Sequence, residues 1–247
     1  VELEIIQDSK KLNGKILSIK KRKTKLYKSE GNKTKLFAAN ISHVGIIVTP
    51  KPKTSSEFID KWILKSKLSN IAPFIINNKI DIESDQSYKI KLDTYKNLDI
   101  NIISCSAKHD ENLKELIDFL AQKSVLFVGN SGAGKSTLSS KLIGKELKTS
   151  SLSNEQGVHT TSISSLYELQ NNTKIIDSPG MRDIEIKNYS KDQIIKGFDE
   201  ILKASIDCKF TNCNHINNKG CCVIESLANG QISQSRYNNF IKFRDNE

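Results

Sequence analysis

The chain has 247 residues, 37% hydrophobic and 27% charged, with a formal net charge of +10. That suffices for one large domain or two to three small ones with packed cores, and it excludes wholesale disorder. No apolar run approaches the roughly 20 residues of a membrane-spanning helix, no secretory signal is visible, and five cysteines are too few and odd in number for a disulfide scaffold.

The first residue is Val1 and the one Met is Met181. A translated chain starts with Met, so an N-terminal piece is expected to be missing. Of the 38 basic residues only Arg22, Arg182, Arg236 and Arg244 are Arg. Such Lys enrichment is what an AT-rich genome gives, and alone it says little about function. Its distribution says more. Eleven basic residues and one acid, Glu30, fall between Lys10 and Lys35, while the remainder balances at 27 of each sign. The stretch reads either as a solvated run or as a surface for a phosphate backbone.

Val1, Leu3 and Ile5 alternate with Glu2 and Glu4, the pattern of a half-buried strand. Asn13-Gly14 signals a turn, and Ile16, Leu17 and Ile19 suggest a second strand. Two strands are not independently stable, so they read as the end of a small barrel. From about Asn40 the pattern changes. His43–Thr49 is a continuous apolar run, as in a buried parallel strand. Ser55–Leu68 carries Phe58, Ile59, Trp62, Ile63 and Leu64 at helical spacing. Pro73–Ile76 and Ile100–Ile103 are further strands. Asn112–Leu120 sets Leu113, Leu116, Ile117 and Leu120 on one helical face. Strand Val125–Val128 precedes a helix marked by Leu138, Leu142 and Ile143, and Leu166–Leu169 and Lys174–Ile176 add two strands. The alternation predicts an α/β domain with a mostly parallel sheet. After about Asn188 the character is helical, interrupted by a Cys-rich loop.

The chemistry lies at the strand ends. Gly129, Asn130, Ser131, Gly132, Ala133, Gly134, Lys135 and Ser136, followed by Thr137, fit G-x-x-x-x-G-K-[ST] between a strand and a helix. Such a loop turns backbone amides around phosphates, with Lys135 neutralising charge and the Ser136 hydroxyl available to Mg²⁺. Asn78-Lys79-Ile80-Asp81 selects the base. A carboxylate accepts from both guanine N1–H and the 2-amino group, a donor pair adenine lacks. Ser106, Ala107 and Lys108 supply the second guanine loop. Asp177-Ser-Pro-Gly180 follows a strand, with Asp177 for the Mg²⁺ shell and the Gly180 amide for the γ-phosphate. Gly157-Val-His159-Thr160-Thr161 offers Thr160 or Thr161 to Mg²⁺.

The base loops precede the phosphate loop, reversing the order of Ras-type GTPases. The domain therefore reads as circularly permuted, which surface termini tolerate. Residue 181, after the second switch glycine, is Met and cannot orient water. The missing group is His159 or comes from a partner in trans. Cys208, Cys213, His215 and Cys221 form C-x₄-C-x-H-x₅-C, a set for one closed structural Zn²⁺ site. Cys222 competes with Cys221, which is favoured because it follows Gly220. Cys105 reads as a small core residue.

The permuted order, Gly157–Thr161, Asp177–Gly180 and the cysteine loop followed by Arg236-Tyr237 resemble the RsgA (YjeQ) family of GTPases. Ile16–Ile19 with Arg22 and Leu26 resembles its last barrel strand and linker, and Ala39-Asn40 and Asp60-Lys61 resemble the start of its GTPase domain. The resemblance implies a truncated OB-fold barrel remnant and basic linker over 1–38. It implies a circularly permuted P-loop GTPase domain over 39–189, a three-layer α/β fold, and a zinc-binding helical domain over 190–247. It implies a cytoplasmic monomer that binds the small ribosomal subunit and its rRNA in late maturation, hydrolysing GTP to GDP with stimulation by the subunit and without a membrane. Ser42 stands where an acid is usual, and Asn218-Lys219 replaces a usual Glu-Pro. The alternatives are an RNA-binding module with a degenerate nucleotide site, and a P-loop ATPase with an accidental N-K-x-D.

Overall fold

The computed structural model describes residues 2–8, 11–30, 33–144, 165–177 and 184–245. Two antiparallel hairpins come first: β1 (Glu2–Asp8) with β2 (Lys11–Ser18), and β3 (Lys25–Glu30) with β4 (Lys33–Ala39). The predicted turn at Asn13-Gly14 is not there. Ile6 pairs with Asn13 and Ile5 with Gly14 inside the ladder, and the chain reverses between Asp8 and Lys11. Closing there adds ladder hydrogen bonds on either side, which outweigh the turn preference of one dipeptide. The second hairpin was not legible in the Lys-rich sequence. Its Leu26 and Ala38 are buried in the core of the following domain.

That domain is built on β5 (His43–Val48), β6 (Ala72–Asn78), β7 (Ile102–Cys105), β8 (Ser124–Gly129), β9 (Ser165–Glu168) and β10 (Lys174–Asp177). The order across the sheet is β7-β6-β5-β8-β10-β9, parallel throughout except for the antiparallel edge strand β9. The chain runs outward from β5 through β6 to β7, then returns to β8 on the other side of β5. This reversal opens a crevice at the carboxyl ends of the strands, where ligands of open α/β sheets bind.

Helices cover both faces. Val44, Ile46 and Val48 of β5 meet Phe58, Ile59, Trp62 and Ile63 of α1 (Ser56–Leu68), with Tyr88 and Tyr95 of α2 (Gln86–Lys96). On the opposite face Ile47, Phe74, Ile76 and Phe127 pack with Leu116 and Leu120 of α3 (Leu113–Leu120) and Leu138 and Leu142 of α4 (Lys135–Ile143). Ser55 caps α1 by accepting from the Phe58 N–H. Gly45 is required in β5, because a Cβ there would lie 2.9 Å from Phe74 Cζ. Three expectations shift. β7 begins at Ile102 rather than Ile100, Ile117 of α3 is 42% exposed rather than on the buried face, and the polar helix α2 was not predicted.

The C-terminal helices α5 (Lys191–Ile194), α6 (Asp199–Ile206), α7 (Cys222–Ala228) and α8 (Gln234–Arg244) enclose a third core around Ile194, Phe198, Ile201, Val223, Phe240 and Phe243. This core also takes Leu64 from α1. A buried ion cluster ties the same elements together. Arg236 of α8 donates to Asp60 of α1 (2.7 Å) and to Glu200 of α6 (2.8 and 3.1 Å), with its guanidinium 4.2 Å from the Phe198 ring centre. Tyr95 and Asn239 also donate to Asp60. Burial pushes the Asp60 carboxyl up and its three donors pull it back, while the two carboxylates hold Arg236 charged.

Candidate functional site

Three loops leave the sheet at the crevice. The phosphate loop follows β8, the Asn78–Asp81 loop follows β6, and the Ser106–Lys108 loop follows β7. Together with Lys79, Gly129–Gly132 and Gly134–Thr137 line a cleft of about 370 Å³. Gly134 has φ +84°, and a Cβ there would lie 2.5 Å from Asn78 Nδ2. Only glycine permits both that conformation and that approach. It precedes α4, whose N-terminus has no side-chain cap, so the first N–H groups and the helix dipole face the cleft as an anion site.

Asn78 is the strut between loops. It is 1% exposed, donates to Ala133 O (3.0 Å) and accepts the Ala107 N–H (3.1 Å). Cys105, buried as expected and with its thiol pushed up to about 11 by burial, also points at Asn78 Oδ1. Lys79 lies beside it. Its ammonium donates to Gly132 O (2.7 Å) and Lys51 O (3.0 Å), fastening the base loop to the phosphate loop. The Ile80 N–H donates to Cys105 O at 3.3 Å. Asp81 is exposed at the mouth. It accepts from the buried Ser106 hydroxyl (2.5 Å), which is the main cause holding its carboxyl below the usual carboxylate range; His109 and Lys108 add to it. Asp81 is therefore a carboxylate ready to accept a donor pair.

Lys135 is half-buried and Ser136 and Thr137 are exposed in the cleft. Asp177 ends β10, beside Phe127 of β8, so its backbone sits at the same edge of the sheet. His159, Thr160, Thr161, Gly180 and Met181 lie outside the described residues. Residues that sequence reading missed include the Thr49–Thr54 loop after β5, which supplies Lys51 O to Lys79, and His109, 3.7 Å from Asp81. The signal for the first was its position, a Pro-rich loop after a buried strand.

The cysteine set also converges. The donor atoms of Cys208, Cys213, His215 and Cys221 all lie within 4.8 Å of one another. His215 Nδ1 is 3.7 Å from Cys208 Sγ and 3.6 Å from Cys221 Sγ, and those two sulfurs are 4.0 Å apart. A tetrahedral site with metal–sulfur bonds of about 2.3 Å has edges near ~3.8 Å, so the donor set fits a metal ion. Burial pushes the Cys221 thiol up to about 11 and lowers His215, so a cation is what would bring the thiol to thiolate while the imidazole stays neutral. Cys222 is not part of the set and donates instead to Asp207 O at 3.0 Å. Tyr237 fixes the loop by donating to His215 O at 2.6 Å.

A mostly parallel sheet with base loops, then phosphate loop, in chain order defines a circularly permuted P-loop GTPase fold carrying a C-terminal Cys/His cluster that could hold a metal ion. A sequence profile described as RsgA GTPase matches residues 19–187, and the chain belongs to that family. It is 35% identical over 216 residues to the small ribosomal subunit biogenesis GTPase RsgA of Haemophilus influenzae (strain PittEE), covering 83% of this chain and 61% of that protein. Against the RsgA of Chlorobaculum parvum the identity is 31%, covering 86% and 70%. The crystal structure of YjeQ from Thermotoga maritima superposes with a TM-score of 0.75 at 28% identity, covering 94% of this chain and 78% of that one. The fold is shared with YloQ, a circularly permuted GTPase (TM-score 0.73, 22% identity, 98% and 77% covered). The chain thus spans less than two thirds of the length of the H. influenzae relative.

Proposed function

We propose that this chain is a GTP hydrolase acting as a switch in late maturation of the small ribosomal subunit. The observation that carries the reading is the fastening of both base loops to the phosphate loop through Asn78 and Lys79. Phosphates would lie on the uncapped N-terminus of α4 with Lys135 beside them, and guanine would present its donor pair to Asp81. Ser136, Asp177 and one of Thr160 and Thr161 would hold Mg²⁺, which supplies charge neutralisation at the β- and γ-phosphates. The attacking water is held by His159 or by a group the subunit brings in trans. Zn²⁺ in the Cys208, Cys213, His215 and Cys221 set is structural, since all four positions are protein donors.

The partners under this reading are GTP and GDP, the subunit and its rRNA, and the site of action is the cytoplasm. The basic stretch Lys10–Lys35 supports contact with a phosphate backbone. We divide the chain into residues 1–38, 39–189 and 190–247 as barrel remnant with linker, GTPase domain and zinc-binding helical domain. GTP turnover measured with and without small subunits tests the reading, and stimulation by the subunit is expected. A rate that small subunits leave unchanged would defeat the ribosomal assignment while leaving the nucleotide chemistry standing.

A further inference from the structure

The base loop is held at its foot by a hydrogen-bond relay that nothing above requires. Tyr88, in the first turn of α2, is 3% exposed and donates its hydroxyl to Asn77 Oδ1 at 2.6 Å. Asn77, 9% exposed, donates onward from Nδ2 to Ser104 Oγ at 3.0 Å. Asn77 immediately precedes Asn78 on β6, and Ser104 lies two residues before Ser106 on β7. One side-chain bond therefore closes the loop that begins after Asn77 and ends where α2 begins. The next bond ties that closure to the strand carrying the second base loop. The far end of the loop is pinned separately. Asp85 caps α2 by accepting the Tyr88 N–H at 2.9 Å and pairs with Lys53 at 2.5 Å.

Chain geometry gives this closure a consequence. Asp81 and Ser106 meet across the mouth at 2.5 Å, on loops that leave two neighbouring strands. Their spacing depends on β6 and β7 keeping a fixed offset at their carboxyl ends. The strand ladder there ends at Asn78 and Cys105, with the long Ile80 N–H bond to Cys105 O beyond it. The relay adds side-chain bonds inside the low-dielectric core at the rung just before, where Asn77 pairs with Ser104. Removing the hydroxyl leaves Asn77 Oδ1 without its buried donor.

We propose that Tyr88 is a positioning residue for base selection, acting through Asn77 and Ser104 to set the separation of the two guanine loops. The proposal rests on the guanine reading of the site, and its test separates the two. The full chain and its variants are titrated with GDP and with ADP, each with Mg²⁺, and folding is checked by thermal melting. In the unsubstituted chain GDP binds far more tightly than ADP. Tyr88→Phe lowers that preference about tenfold by weakening GDP alone, since one buried hydrogen bond has been orphaned beside the base loops. ADP, held by the phosphate loop only, is unmoved. Tyr95→Phe is the control. It deletes another buried hydroxyl of the same helix, one bonded to Asp60 instead. It lowers the melting temperature and leaves the GDP-to-ADP ratio intact. Ser104→Ala breaks the other end of the relay at a less buried site and shifts the ratio in the same direction, which keeps the test open if Tyr88→Phe does not fold. A full GDP preference in folded Tyr88→Phe, or in Ser104→Ala should the first not fold, would overturn the proposal alone. Equal GDP and ADP affinity in the unsubstituted chain would overturn the guanine reading and the proposal with it.

Discussion

Under the proposed function Asp81 would make the base choice with one carboxylate, and its surroundings keep it charged. The Ser106 hydroxyl donates to Oδ1 and holds the group below its ordinary value. Replacing it by an amide exchanges an acceptor for a donor. Asp81→Asn is therefore expected to weaken GDP binding by about a hundredfold or more, because guanine N1–H then faces an N–H or an oxygen with the wrong geometry. A nucleotide of xanthine, with a carbonyl where guanine has its amino group, regains affinity because the new N–H can reach that oxygen. Competition titrations with the two diphosphates check this; equal loss for both would mean that Asp81 does not touch the base edge.

At the scale of elements, the loop between α6 and α7 shows how a segment without a core of its own is held. His215 adopts φ +57° and Gly220 φ +76°, conformations that fold the loop back on itself and aim four donors at one point. A metal ion held there would link the end of α6 to the start of α7. Cys221 and Cys222 make the contrast useful, since the adjacent thiols turn to different partners. Cys221→Ser is expected to abolish stoichiometric zinc and lower the first melting transition by roughly 10 °C. Cys222→Ser, losing a single thiol contact to Asp207 O, is expected to keep the metal and move the transition by about 2 °C or less. Elemental analysis with calorimetry reads both. Zinc retained by Cys221→Ser would show that the fourth donor is elsewhere.

Across the whole molecule, α1 is the shared beam. One face packs on the sheet through Ile59 and Ile63, and Leu64 enters the C-terminal core. Asp60 anchors Arg236 between them. Arg236→Met leaves the buried Asp60 and the half-buried Glu200 without their cation, at a cost of about 3–5 kcal/mol. Lys67 and Asp199 also bridge α1 and α6, but at the surface, where such a pair contributes under about 1 kcal/mol. Denaturant unfolding of Arg236→Met and Lys67→Ala is expected to reproduce that contrast, and similar losses would mean that the buried cluster contributes no more than the exposed pair. Under the proposed function, nucleotide state would reach the C-terminal helices by a short route, because the segment after β10 rejoins the described structure at Ile184, itself packed in the core under α1.

The sequence by itself determined the α/β alternation, the three nucleotide loops in permuted order and the metal donor set. Each of these is local. A strand's apolar run, a glycine-lysine turn or a thiol spacing is complete within a few consecutive residues. The sequence also favoured Cys221 over Cys222, and it is the Cys221 sulfur that lies with the other three donors while Cys222 turns to Asp207 O. Tertiary structure alone decided what depends on partners distant in the chain. The β3–β4 hairpin was hidden because, among the described residues, its Lys-rich strands bury only Leu26 and the small Ala38, whose partners are residues of the following sheet and helices. Helix α2 was hidden because its two buried anchors, Tyr88 and Tyr95, sit two turns apart among polar residues, too few to show a stripe. The asparagine strut, the tyrosine relay and the arginine cluster join residues 29, 11 and 176 positions apart. No local propensity encodes such a contact. It exists because burial brings polar groups together and each must then find a partner in place of water.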